Sequence, residues 1–468
     1  MKKIALIPID NRPVCYELPK MIARINPKIQ LMLPPKNYLG SLIKSANISA
    51  IFDWLEEVHD VQYIIISADT LMYGGLVPSR KSKDTQEEVE QRVLRLRNLL
   101  LNKVDCKTFV FSSIMRISNN NINEEEKEYW KDYGKKLFAY SYNFHKAEVE
   151  GNQCAMEEAK KISLEIPQEI VLDWLNTRER NFLINKSYIK LYEDGLIDTL
   201  VYSKDDCAEF GFNVKEAKYF ELQAEKYKRV FVKTGADEIP LTLLSRSISD
   251  NKTIKIAPIY SNPKSISLIS NYEDISVEES VNSQILTAGA TISKVEDADI
   301  ILYVNNFVEK QGEIVMKELS KGFDGNLSNF DKPYFIADIV NANGADNKFI
   351  EKIIQRKADE KFLGYAGWNT TGNTLGSAIS TAISCYTSQN VSEKAFKRLQ
   401  VTRLLDDWAY QANIREYIRE NNIINIKEIK EMFKPYEEKV FNFLNIDKLE
   451  IEYKFPWNRT FEIEINIK

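Results

Sequence analysis

Two pairs of adjacent carboxylates, each at the end of a predicted strand, are the residues of this sequence best suited to chemistry. Asp205-Asp206 follow the apolar run DTLVYS, and Asp237-Glu238 follow RVFVKT. Side chains alternate along a strand, so the two members of a pair are expected to point to opposite sides. Carboxylates held close together raise the pKa of one of them, which provides a proton donor near neutral pH. All four residues are therefore catalytic candidates, although each pair also fits a solvated loop or a helix cap.

Other polar, amide and aromatic residues follow further predicted strands, at the edge where the loops of a parallel sheet converge on a ligand. Trp368 offers a flat apolar face and Asn369 offers hydrogen-bonding groups, a combination that suits a sugar. Several members of this set also fit helix caps or ordinary turns. The predicted substrate-binding residues are Asp10, Asn11, Arg12, Asp69, Tyr73, Arg80, Asn341, Asn343, Asp346, Trp368 and Asn369.

Several other classes of active site lack the residues they need. The two histidines exclude a three-histidine zinc site and leave little room for histidine-based catalysis. The sequence contains no phosphate-binding loop of the G-x-x-x-x-G-K-[ST] type, no G-x-G-x-x-G after the first strand and no G-x-S-x-G elbow. Five cysteines without a C-x-x-C motif argue against a zinc ribbon or a disulfide scaffold. The net charge of −5 argues against a broad cationic surface for nucleic acid.

The elements that would position these residues alternate between strands and helices. Each apolar run is bounded by turn residues and is nearly continuous, which is typical of a strand covered on both faces. The pattern predicts an α/β fold with mostly parallel strands, either a (β/α) barrel-like fold or two open-sheet lobes. The predicted strands are residues 3–9, 29–33, 62–67, 107–112, 198–203, 229–234, 254–260, 299–304, 333–338 and 362–366.

Two regions depart from this alternation. A helical insertion is predicted at about 123–195, within an α/β domain of residues 1–250. Residues 251–390 are expected to complete the barrel or to form the second lobe, and 391–468 to form a helical C-terminal region with a terminal hairpin. The longest apolar runs are near eight residues, too short to span a bilayer, and a charge comes too early at the N-terminus for a secretory signal. We therefore expect a cytoplasmic protein without membrane contact.

A set of motifs spread over almost the whole chain resembles an uncharacterised bacterial family of roughly 500-residue proteins, known only as a domain of unknown function. This resemblance implies no established activity. The motifs are IPIDNRP, LPPKNYLG, SADTLMYGGLVPSR, SKDD, GADE, NANGAD and YAGWNTTGNTLG.

The strand-end pairs are also similar to those of N-acetylhexosaminidases that use substrate assistance. Gly235-Ala236-Asp237-Glu238 matches the Gly-x-Asp-Glu form, and Lys204-Asp205-Asp206 the Asp-Asp form. The resemblance implies that one carboxylate orients the 2-acetamido group, whose oxygen attacks the anomeric carbon, while its neighbour protonates the leaving oxygen. It leaves open which of the two pairs acts.

The leading hypothesis is a glycoside hydrolase that uses paired carboxylates on a small-molecule sugar and needs no cofactor. A second hypothesis is a hydrolase or lyase for an anionic small molecule, with Mg²⁺ or Mn²⁺ in an all-oxygen site and arginines that clamp the anion. The candidate metal ligands are Asp10, Asp69, Asp205 and Asp237, and the candidate clamps are Arg12, Arg80 and Arg116. A third hypothesis is a non-catalytic sugar-binding protein with two lobes. The oligomeric state stays open.

Overall fold

The computed structural model of the protein describes residues 1–205, 207–249, 252–322, 330–355, 357–423 and 425–468. Asp206, one of the predicted catalytic carboxylates, lies outside the described residues. The predicted boundary at residues 250 and 251 lies outside them as well.

The first half of the chain forms an open sheet of six parallel strands. Its strands are β1 (Lys2–Ile7), β2 (Ile29–Met32), β3 (Tyr63–Ser67), β4 (Lys107–Ile114), β5 (Thr199–Lys204) and β6 (Val230–Thr234). They lie in the order β2-β1-β3-β4-β5-β6. The helices are α1 (Pro13–Ile25), α2 (Ile48–Glu57), α3 (Ala68–Tyr73), α4 (Leu76–Lys81), α5 (Gln86–Leu101), α6 (Trp130–Glu150), α7 (Gln153–Leu164), α8 (Gln168–Glu193), α9 (Phe212–Ala224) and α10 (Ile239–Ser249).

The second half forms another open parallel sheet. Its strands are β7 (Lys255–Tyr260), β8 (Thr291–Ile292), β9 (Ile300–Asn305), β11 (Tyr334–Asp338) and β13 (Phe362–Ala366), in the order β13-β11-β9-β7-β8. Two short strands, β10 (Gly312–Glu313) and β12 (Asn341–Ala342), pair beside it. The helices of this half are α11 (Val277–Thr287), α12 (Asn347–Ile354) and α13 (Thr371–Thr387).

The predicted α/β class and its parallel strands are confirmed, and of the two architectures the open sheets are the one that forms. Closure into a barrel requires the two edge strands of a sheet to pair with each other. Here β2 and β6 remain the two edges of the first sheet, and β13 and β8 those of the second. The barrel-like alternative is therefore wrong for the part of the chain that the structure describes.

The two sheets share one apolar core. Val14, Leu18 and Ile22 repeat every four residues along α1 and face this core, as an amphipathic helix requires. The same cluster contains Ile65 from the first sheet and Leu302 from the second. Helices α10 and α13 pack against each other between the sheets. Burial of this shared apolar surface fixes how the sheets face each other.

The helical insertion and the helical C-terminal region are both confirmed. Helices α6, α7 and α8 follow one another, and Trp130 and Trp174 pack in their separate small core. The C-terminal region contains α14 (Glu393–Arg403), α15 (Arg415–Glu420) and α16 (Ile426–Leu444), with a π-helical segment at Leu404–Ile414. The chain then forms the predicted antiparallel hairpin of β14 (Ile451–Lys454) and β15 (Glu464–Ile467).

Candidate functional site

A polar cavity of about 260 Å³ lies where the carboxyl ends of strands from both sheets converge. The chain that follows each strand turns there and exposes side chains and backbone groups to a common space, as is usual for ligand sites in parallel sheets. The C-terminal segment between β14 and β15 completes the wall. The lining residues are Asp10, Arg12, Leu76, Val77, Arg116, Glu125, Lys204, Asp205, Thr234, Gly235, Ala236, Asp237, Tyr272, Asn343, Asn369, Thr370, Asn373, Trp457 and Phe461.

Arg12 lies at the centre of a buried ion cluster on one side of this cavity. Its Nε donates to Asp10 Oδ2 at 2.8 Å, and its two terminal nitrogens contact the Asp237 carboxylate at 3.0 and 2.5 Å. Nη1 also contacts Glu462 Oε1 at 3.1 Å. Asp10 further accepts the backbone N–H of Arg12 at 2.9 Å, just before Pro13 begins α1. We call Asp10, Arg12, Asp237 and Glu462 the Arg12 cluster.

Three carboxylates around a single guanidinium leave the Arg12 cluster with too few positive charges to compensate every buried acid. Burial raises the pKa of Asp237 to about 6, despite the opposing effect of Arg12 and with the Asp10 charge adding to the rise. Burial likewise raises the pKa of Glu462 to about 7, again against Arg12. Desolvation disfavours the charged form of an acid. The cluster therefore holds carboxyl groups that take up protons near neutral pH.

Asp205 lies in the same cavity among arginines. Arg80 Nη2 donates to Asp205 Oδ2 at 2.7 Å, and Arg116 Nη1 lies 3.5 Å from the same oxygen. Arg116 also contacts Glu125 at 3.0 Å and Glu126 at 3.1 Å. Asp205 follows β5 and Asp237 follows β6, and these strands pair in parallel. The two carboxylates thus reach one cavity from neighbouring strands.

The adjacent residues Asp237 and Glu238 point into different parts of the molecule. Glu238 is 1% exposed and does not line the cavity. Its carboxylate accepts the backbone N–H of Ala236 at 3.0 Å and the Gln284 side-chain amide at 2.9 Å, and lies 3.4 Å from Lys233 Nζ. Gly235 has φ 115°, and a Cβ there would lie 2.0 Å from Glu238 Oε1. A glycine is therefore required at the turn that precedes the two carboxylates.

Comparison with known protein families shows which family the chain belongs to. A family model described as a protein of unknown function, DUF4127, matches residues 4–466. The chain belongs to the DUF4127 family. This confirms the predicted membership of a domain-of-unknown-function family, whereas the similarity to N-acetylhexosaminidases stays a prediction. No curated protein matches the chain.

Two predicted binding residues of this DUF4127 chain, Asn343 and Asn369, line the cavity together with Asp10 and Arg12. Both asparagines have a left-handed backbone, with φ 62° and 59°. The backbone N–H of Asn343 donates to the Asn369 carbonyl at 2.8 Å, which ties the loops after β12 and β13 together. Asn373, on the first turn of α13, has a buried side-chain oxygen that accepts no hydrogen bond in the structure.

The other predicted binding residues do not line this cavity. Trp368 is 2% exposed and packs in the core shared by the sheets, so its face is not available at the cavity. Burial raises the pKa of Asp69 to about 6, and Asp69 accepts the backbone N–H of Ser113. Tyr73 is buried beneath the guanidinium of Arg180.

The remaining predicted residues have structural or supporting contacts. Asn341 accepts the backbone N–H of Ser320 at 3.0 Å, and Asp346 caps α12. Arg80 does not line the cavity, but it donates a hydrogen bond to Asp205, which does. Asn11 accepts the indole N–H of Trp457 at 2.7 Å.

Sequence reasoning missed several residues at the site, among them Glu125, Tyr272, Trp457, Phe461 and Glu462. Glu125, Trp457, Phe461 and Glu462 lie outside the polar stretches that directly follow the ten predicted strands. Tyr272 lies in a loop that carries no motif. The one local signal was the cluster of aromatic and basic residues in FPWNRTF, which lies just before β15.

Within the described part of the chain, one group of residues has metal-compatible spacing. It consists of Asp10, Cys15 and Asp237, whose ligand atoms lie within 4.8 Å of one another. Arg12 already contacts all three, at 2.8 Å for Asp10, 2.5 Å for Asp237 and 3.8 Å for Cys15 Sγ. A guanidinium in this position competes with a cation for the same oxygens. The proposed ligand Asp69 is not brought to this group.

None of the described helices is both long enough and apolar enough to cross a membrane.

Proposed function

We propose that the protein is a glycoside hydrolase whose proton donor is Asp237 and whose second carboxylate is Asp205. The observation that carries the proposal is the placement of these two carboxylates in one small cavity, in different surroundings. Asp237 is buried with a pKa raised to about 6, whereas Asp205 is more exposed and paired with Arg80 and Arg116. A protonated and an ionised carboxyl group at one site are the requirement of glycosidase chemistry.

In this reaction Asp237 donates its proton to the glycosidic oxygen as the bond from that oxygen to the anomeric carbon breaks. The negative charge of Asp205 stabilises the positive charge that develops on the sugar. Water then supplies the new hydroxyl group and gives its other proton to the Asp237 carboxylate, which restores the acid. Asn343 and Asn369 line the cavity, and we assign them the binding of sugar hydroxyl groups. Arg12 positions the Asp237 carboxyl through two hydrogen bonds.

Nucleophilic catalysis by cysteine is disfavoured at this cavity. Burial raises the pKa of Cys15 well above its usual value, and burial has the same effect on Cys207. The thiolate is the reactive form of cysteine, so a raised pKa makes these thiols poor nucleophiles.

N-acetylhexosaminides remain the substrate class that the sequence resemblance implies. Their assisted mechanism needs one carboxylate to orient the acetamide and a second to protonate the leaving oxygen. Because Glu238 lies outside the cavity lining, we assign these two roles to Asp205 and Asp237 rather than to the adjacent pair. All five cysteines are free, which supports a reducing, cytoplasmic setting.

The test is hydrolysis of a panel of nitrophenyl glycosides, N-acetylhexosaminides included, with and without EDTA. We expect nitrophenol release that survives the chelator and is lost in Asp237→Asn and Asp205→Asn. Release abolished by EDTA would replace this proposal with a metal-dependent hydrolase. Sugar binding without release would replace it with a non-catalytic sugar-binding protein.

A further inference from the structure

A segment at the C-terminal end of the chain covers the cavity. We call residues 455–463, between β14 and β15, the strap. It is held at several points along its length: Arg459 contacts Glu125 at 3.0 Å, Glu462 contacts Arg12 at 3.1 Å, and the Tyr410 hydroxyl donates to the Thr460 carbonyl at 2.6 Å. These contacts tie the strap to the first sheet and to the C-terminal helices.

Trp457, in the strap, is held in a costly backbone conformation. Its φ is 55° and that of Asn458 is 54°, so two consecutive residues other than glycine are left-handed. Bulky side chains rarely adopt this region, and such strain persists only where surrounding contacts enforce it. Here the strained turn directs the indole to the wall of the cavity.

Side-chain contacts fix the orientation of the indole. Its N–H donates to Asn11 Oδ1 at 2.7 Å. The guanidinium carbons of Arg12 and Arg459 lie 5.3 and 4.7 Å from the ring centroid, within the range of cation–π attraction. Trp457 is nevertheless partly exposed and lines the cavity.

We propose that Trp457 is the aromatic residue that contacts the sugar, and that Asn11 is its positioning residue. The inference rests on the proposed glycosidase function and specifies what the site binds: a ring with apolar C–H groups on one side and hydroxyl groups at its edge. Trp457 supplies the apolar contact, and Asn343 and Asn369 lie on the same cavity for the hydroxyl groups. The sequence pattern assigns the apolar contact to Trp368 and includes Tyr73 among the substrate-binding residues, but both side chains are buried and neither lines the cavity.

The experiment compares Trp457→Gly, Trp457→Ala and Asn11→Ala with the full-length wild-type protein on the nitrophenyl glycoside panel. Trp54→Ala is the matched control, since it removes a partly buried indole from α2, away from the cavity. We expect Trp457→Gly to raise KM about tenfold with kcat changed less than twofold, because aromatic contacts contribute mainly to binding. Asn11→Ala should raise KM about threefold, and the control should leave KM unchanged.

Thermal unfolding separates binding from folding. Glycine adopts a positive φ without strain, whereas alanine does not. Trp457→Gly should therefore unfold at a higher temperature than Trp457→Ala while its KM is at least as high. A loss of binding together with this order of stability cannot come from general unfolding.

The outcomes distinguish the inference from the function on which it rests. Hydrolysis with an unchanged KM in Trp457→Gly would overturn the role of Trp457 and leave the glycosidase proposal standing. If no glycoside is hydrolysed, calorimetric titration with the monosaccharides of the panel tests directly whether Trp457 contacts the sugar. Binding to wild type that is lost in Trp457→Gly would support the sugar contact and overturn the glycosidase. Equal binding to both proteins, or none to wild type, would overturn the sugar contact.

Discussion

Two ion clusters lie on either side of the turn after β6, and they differ in whether they border the cavity. The Arg12 cluster has one cation among three carboxylates and borders the cavity. The other, which we call the Lys233 cluster, consists of Lys233, Glu238, Glu273 and Gln284. None of its members lines the cavity. The Arg12 cluster is open to the cavity, whereas the Lys233 cluster is enclosed by protein.

The Lys233 cluster joins elements of the two sheets. Lys233 belongs to β6, Gln284 to α11, and Glu273 accepts the backbone N–H of Gly372 at the start of α13 at 2.9 Å. Burial raises the pKa of Glu273 to about 7. The comparison shows that a raised carboxyl pKa does not by itself identify a catalytic acid. Access to the cavity distinguishes Asp237 from Glu273.

The largest expected difference between the clusters is in turnover. Asp237→Asn removes the proposed proton donor but leaves Arg12 paired with Asp10 and Glu462. We expect glycoside turnover to fall by about 10²–10⁴-fold, the usual contribution of a general acid. Steady-state kinetics on the most rapidly cleaved nitrophenyl glycoside provides the measurement. Glu238→Gln changes the next residue of the chain and should retain turnover per folded molecule. Equal losses of turnover in Asp237→Asn and Glu238→Gln would contradict the assignment of the proton donor to Asp237 alone.

The second difference is in stability. Glu238→Ala leaves the buried Lys233 ammonium without its nearest carboxylate, and we expect a loss of about 3 kcal/mol in the free energy of unfolding. Urea denaturation at neutral pH provides the measurement. The double variant Lys233→Met, Glu238→Leu is the control, since removal of both charges should cost less than removal of one. A smaller loss in the single variant than in the double would show that the ion pair is not what stabilises this region.

The third prediction concerns the pH dependence of turnover. As a proton donor, Asp237 acts in its protonated form, so the rate should fall as the pH rises through about 6. The charge of Asp10 contributes to the raised pKa of Asp237. Asp10→Asn removes that charge and should move the descending limb to lower pH. Profiles of kcat/KM against pH for both proteins test this, and a limb that moves to higher pH would argue against Asp237 as the acid.

The smallest expected effect is on the pH dependence of stability. Glu273 has a folded-state pKa of about 7 against an ordinary 4.5, so it binds its proton more tightly in the folded state. Its favourable contribution is complete below about pH 4.5 and is lost as the pH rises to about 7. Glu273→Gln removes the titrating group and should flatten this decline. Urea denaturation across that pH range provides the measurement, and an unchanged slope would show that Glu273 is not its source.

The fold could be predicted largely from local patterns. The ten apolar runs became strands of two parallel sheets because a strand covered on both faces needs a continuous apolar sequence. The helical insertion and the terminal hairpin could also be predicted, from the spacing of apolar and polar residues along the sequence. The choice between a barrel and two sheets could not be made this way, because it depends on which strands become edges. That outcome is set by packing among helices far apart in the chain, such as α1, α10 and α13.

For the site, the sequence by itself determined the family, the candidate residue types and their place at strand ends. Six of the candidate residues line the cavity: Asp10, Arg12, Asp205, Asp237, Asn343 and Asn369. Only the tertiary structure decided that Asp237 faces the cavity while Glu238 faces the protein interior. It also brought Trp457 to Asn11 and Glu462 to Arg12. Local periodicity specifies the face of a strand or helix on which a side chain lies, but contacts between residues hundreds of positions apart arise only when the shared core forms.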